Sequence, residues 1–170
     1  MLGKIAKAID TLSEKQGNIS ALLGIPLLLV VIYEVIMRYV FDAPTIWGFE
    51  LTTFIYGVHY MLGLSYTDVL GGHVRVDVFT MHLPQRGQAL MGVITGLVLF
   101  LPVMIPLTIW SWRYAFISIA QMELNSTSWA PPIYPIKTLM AIAFTFLLLQ
   151  GIANLIQNIQ VLRGKGGVVR

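Results

Sequence analysis

The chain contains no cysteine, which excludes disulfides, thiolate metal sites and cysteine nucleophiles. Charge is scarce as well: 11% of residues are Asp, Glu, Lys or Arg, where a soluble domain carries about 25%. No nucleotide-binding loop, nucleophile elbow or metalloprotease motif is present. No internal repeat and no pair of broken helices marks a substrate site at a membrane midplane. The net charge of +3 is small, and basic residues gather near the termini, which is a topology signal rather than a nucleic-acid stripe. What fills the sequence is apolar: 56% of the 170 residues, with mean hydropathy +0.76. Such a chain cannot cover a globule with polar surface, so lipid must cover it. It reads as one integral membrane domain.

A spanning helix needs about 20 mostly apolar residues. Four runs qualify, at 19–41, 47–66, 90–112 and 136–159. They are too long and continuous for barrel strands, and backbone groups in a bilayer must be satisfied within their own segment, so the expected class is all-α with four transmembrane helices. Residues 1–16 differ. Leu2, Ile5, Ile9 and Leu12 form a stripe, with Lys4, Lys7 and Lys15 off it, the pattern of an amphipathic helix on the membrane surface. Residues 67–89 make an interfacial loop and 160–170 a charged tail.

Lys and Arg are counted by side. The N-terminal segment, the 67–89 loop and the tail hold eight, against Arg38, Arg113 and Lys137 on the other face. The excess places both termini in the cytoplasm. Trp47, Trp110, Trp112 and Trp129 then fall at the outer boundary as an interfacial belt, with Tyr134 beside them. Pro102 and Pro106 predict a kink in the outer half of the third span. Gly92 and Gly96 form a small-xxx-small pair where a neighbour can approach.

The stretch "IYEVIMRYVFDAPTIWGFEL" carries three acids and a base. Glu34, Arg38 and Asp42, at steps of four, share a helical face, and Glu50 follows a short turn containing Pro44. An intramembrane carboxylate raises the hypothesis of a cation or proton site. The preferred reading is structural: an ion-pair cluster, Glu34, Arg38, Asp42 and Glu50, that cancels its own charge and locks the first hairpin. A coupling carboxylate is poorly served by a permanent cation four residues away. "GGHVRVDVF" alternates His73, Arg75 and Asp77 with valines after Gly71 and Gly72, a period-2 interfacial segment. It is a poor metal set, with one His and one Asp beside a competing Arg. His59 lacks a second histidine at matching depth for haem, and reads as a hydrogen-bonded structural residue. Gln150, Asn154, Gln157 and Asn158 are expected to bond to neighbouring helices or interfacial water rather than to substrate. No catalytic, metal, cofactor or substrate-binding residue is expected.

Together, "YEVIMRYVF", "PTIWGFEL" and "GHVRVDVF", in this order and spacing, resemble the small membrane (Q-type) subunit of tripartite ATP-independent periplasmic (TRAP) transporters. The matching positions are Arg38, Trp47, Glu50, Gly72, His73, Arg75 and Asp77. The resemblance implies a non-catalytic scaffold beside a large elevator-type membrane subunit that carries the substrate and sodium sites. It implies a periplasmic binding protein that delivers small organic acid anions, uptake by sodium symport, and a prokaryotic inner membrane. A rival reading is a small proton-coupled multidrug exporter working as a dimer, with Glu34 as coupling carboxylate; purification as an active dimer distinguishes it. A second rival, a membrane anchor for a redox enzyme, would show a haem band.

Overall fold

The computed structural model describes residues 2–72 and 83–164. The elements are α1 (Leu2–Ala21), α2 (Gly24–Tyr39), α3 (Gly48–Val69), α4 (Gln85–Thr95), α5 (Leu101–Ala120) and α6 (Tyr134–Leu162), with a π turn at Gly96–Phe100 between α4 and α5. No sheet forms among the described residues; one isolated antiparallel bridge, Leu124 to Pro132, closes the loop before α6.

These elements make four helical rods. α1 passes into α2 at Leu22 and Leu23, where Leu22 N donates to Ile19 O at 3.2 Å and Leu23 N to Ser20 O at 3.0 Å. α4, the π turn and α5 run together over Gln85–Ala120. The π turn sits just before Pro102, whose missing N–H and bulky ring disrupt the regular ladder through the preceding turn. The irregularity therefore falls at Gly96–Phe100, in the first half of the expected 90–112 span rather than its outer half, and α5 is continuous around Pro106.

Three rods are long and apolar enough to cross a membrane: Gly3–Tyr39, Gln85–Ala120 and Tyr134–Leu162. The expected fourth span, α3, has 22 residues but is not one of them. Its Glu50, Thr52, His59, Ser65 and Asp68 lower its apolarity, and α3 is the helix that packs against α1, α2 and α6. Gly48, Ser65 and Val69 are buried, while Phe49, Tyr56 and Tyr60 are exposed.

α1 also departs from expectation. It continues to Ala21, beyond the amphipathic limit at residue 16. It packs on α3 and α6 through Ala6, Asp10, Ser13, Gly17 and Ser20, while Ile5 and Leu12 of the apolar stripe are exposed. The same inversion runs through the molecule. Small and polar residues such as Ala89, Ser118, Ala141 and Gln150 are buried, and Leu28, Val98 and Phe116 face outward. Where the solvent is hydrocarbon, close approach and hydrogen bonds join helices, since apolar surface gains nothing by hiding. Gly92 and Gly96 fit this rule, facing Asn158 and Leu155 of α6.

Candidate functional site

At the end of α2, Arg38 Nη2 donates to Glu34 Oε1 at 2.8 Å. Thr45 Oγ1 donates to Glu34 Oε2 and accepts from Gly48 N at 3.1 Å. The carboxylate is therefore held on both oxygens, by its own helix and by the turn leading to α3. Gly48 is required at this crossing, because a Cβ there would lie 2.9 Å from the Glu34 carboxyl carbon. Tyr33 and Trp47 stack beside it, with ring centroids 5.6 Å apart.

The other two members of the expected cluster lie elsewhere. Asp42 is exposed and has φ +51°, a left-handed conformation that Asp tolerates better than most residues. It turns the chain after α2, and Ala43 N closes back on Met37 O at 2.9 Å. Glu50 accepts from Asn125 Nδ2 at 3.1 Å, which ties α3 to the loop between α5 and α6. No ion pair joins Arg38 to Asp42 or Glu50 among the described residues.

The same loop is fastened to α6. Lys137 Nζ lies 2.5 Å from Glu123 Oε2 and 3.9 Å from the Tyr114 ring centroid. The Lys137 hydrogen bond holds the Glu123 carboxyl below its ordinary value of 4.5. A depressed carboxyl stabilises the fold above that ordinary value and loses its contribution as pH falls through the folded value. Thermal stability in detergent is therefore expected to be insensitive to this pair above about pH 4.5 and to fall below it. Glu123→Gln should remove that part of the acid loss; an unchanged acid limb would sink the assignment. Of the remaining tryptophans, Trp112 Nε1 donates to Thr145 Oγ1 of α6 at 3.0 Å, while Trp110 and Trp129 are exposed.

A second polar site runs along α1, α3 and α6. Gln150, fully buried, donates from Nε2 to Asp10 Oδ1 at 2.7 Å and accepts from Ser13 Oγ at 2.8 Å. Gln157 Nε2 donates to Asp10 Oδ2 at 2.9 Å. Ser65 Oγ donates to Gln16 Oε1 at 2.7 Å, and Gln16 Nε2 donates to Leu62 O. Asn154 Nδ2 donates to Asp68 Oδ2 at 2.5 Å. His59 Nδ1 lies 2.8 Å from Ser20 O; a carbonyl only accepts, so the ring proton sits on Nδ1. The α6 amides were legible as helix-bonding groups, but their partners on α1 were not. Asp10, Ser13, Gly17 and Ser20 look like the wet side of a surface helix. Their own 3–4 spacing was the available signal.

Gly72 N bonds Thr67 O at 2.9 Å at the end of α3; His73, Arg75 and Asp77 lie outside the described residues. Among the described residues no three His, Asp or Glu side chains group as a metal site. Asp10, Ser13, Gln16, Ser65 and Gln150 engage one another or a neighbouring helix, which makes this a helical membrane protein whose helices are fastened by polar side chains.

Over residues 27–161 the sequence matches the family described as tripartite ATP-independent periplasmic transporters, DctQ component. A search of curated proteins found no match. The chain belongs to the DctQ family: it is the small, non-catalytic permease subunit of a TRAP transporter, a multi-pass membrane component of a tripartite complex.

Proposed function

We propose that this subunit is a static frame for its transporter's large membrane subunit and carries neither the substrate nor the sodium site itself. All four rods cross the bilayer, α3 packed against α1, α2 and α6, with the start of α1 at the cytoplasmic surface and both termini inside. The complex sits in a prokaryotic inner membrane and takes up small organic acid anions delivered by a periplasmic binding protein. One observation carries the reading: the buried Asp10–Ser13–Gln150–Gln157 seam ties the first helix to the last. A frame of this kind resists deformation while a mobile domain moves beside it. The turn held by Glu34, Arg38 and Thr45 braces the opposite end of α2 against α3.

The test is a pull-down of tagged protein from native membranes in mild detergent, with partners identified by mass spectrometry. A large multi-span permease at near-equal amount is expected; recovery of the chain alone as a homodimer overturns the reading. Arg38→Ala is expected to lower recovered complex and sodium-driven uptake together, by about two- to fivefold for a partly exposed pair, with Arg38→Lys partly restoring both. Wild-type yield and uptake in Arg38→Ala would remove the bracing role.

A further inference from the structure

Between α2 and α3 lies a cleft of ≈ 240 Å³ whose walls are Val31, Val35, Tyr39 and Phe49, with Glu34 and Arg38 also on its lining. Its two charged residues are unequally exposed. The Glu34 side chain is 12% exposed and the Arg38 side chain 51%. Both Glu34 oxygens are occupied, by Arg38 and Thr45. Arg38 gives one N–H direction to Glu34, and a guanidinium has five N–H donors in a planar fork. The cleft therefore presents unused cationic donors, not a carboxylate. Arg38 lies in the last turn of α2, where a snorkelling cation reaches the headgroup level. From it, Val35, Val31 and Leu28 descend at helical spacing as exposed apolar residues. α2 buries none of its own residues, so its apolar side is open to hydrocarbon.

We propose that this cleft holds one phospholipid, its phosphate on the outward N–H groups of Arg38 and an acyl chain along Val35, Val31 and Phe49. The occupant combines an anion with a hydrocarbon tail because the lining does: guanidinium matches phosphate by charge and fork geometry, and basic pockets between membrane helices take lipid headgroups. Inorganic phosphate would leave the apolar walls uncovered, and an uncharged chain would leave the guanidinium unmatched. This goes beyond the scaffold reading and does not depend on it.

The experiment is native mass spectrometry of the full complex, released into detergent supplemented with isotope-labelled phosphatidylglycerol. The wild type is expected to retain one labelled lipid assigned to this chain. Val35→Trp fills the cleft and leaves the Arg38–Glu34 pair in place; Arg38→Gln keeps the shape and removes the cation. Each should lower the retained fraction by about fivefold or more, with Arg38→Lys intermediate. Retention at the wild-type level in either Val35→Trp or Arg38→Gln, or no retained lipid in the wild type, overturns the proposal. So does loss of the large permease in Val35→Trp with labelled lipid still bound, which would make the cleft a protein contact. Recovery of the unmutated chain without a permease would count against the scaffold alone, since lipid retention is read on this chain.

Discussion

Gly17→Leu is expected to detach α1 from α3 and to cost the protein about 3 kcal/mol or more, the sum of overpacking and lost interhelical hydrogen bonds. Gly17 is buried, and a Cβ built there would sit 2.5 Å from Tyr66 Cβ and 2.6 Å from its Cδ2. These atoms lie close to the α3 backbone, so a rotamer change of Tyr66 cannot clear them. The helices themselves must separate. Separation draws Gln16 away from Leu62 O and Ser65, and Ser20 O away from His59. A thermal melt in detergent should show a loss of several degrees, and protease should reach the first 21 residues sooner. Gly17→Ala should fall between. A Gly17→Leu protein melting within about 2 °C of wild type would mean that α1 is not seated this way.

The second large effect is Gln150→Leu. The replacement has similar volume and fills the same space, so no cavity term enters and hydrogen bonding alone is read. Ser13 Oγ, 1% exposed as part of its residue, loses its acceptor, and Asp10 loses the 2.7 Å bond to its Oδ1. Hydrogen bonds between membrane helices average about 0.6 kcal/mol, but those to a carboxylate reach about 1.5–3 kcal/mol. A loss of about 2–3 kcal/mol is expected. Removing the stranded hydroxyl with Ser13→Ala should recover part of it, giving coupling of about 0.5–1 kcal/mol in the double-mutant cycle. Strict additivity would show that the two side chains do not act together.

How much of this was legible follows from what each residue has to satisfy. The apolar runs at 19–41, 90–112 and 136–159 were readable because hydrocarbon imposes a length and a composition, though the rods that carry them, Gly3–Tyr39, Gln85–Ala120 and Tyr134–Leu162, have other ends. α3 was read as an equal span, yet it holds polar residues that bond to α1, α6 and the loop before α6 and lower its apolarity. Glu34 and Arg38 meet because i, i+4 spacing on one helix is a local rule. Asp42 and Glu50 do not join them: a left-handed turn residue and a bond to Asn125, 75 positions along the chain, are not local matters.

By itself, the sequence determined that this is a helical membrane protein, and its linked motifs pointed to the family. Composition, periodicity and short-range spacing are enough for that, since each span answers separately to the bilayer. Only the tertiary structure decided that α1 is a working part of the bundle. Its apolar stripe and its polar stripe are both helical faces of equal period, and nothing in a single helix says which one turns inward. The α6 amides, about 140 residues away, decide it, because a buried carboxyl and hydroxyl need partners that lipid does not supply.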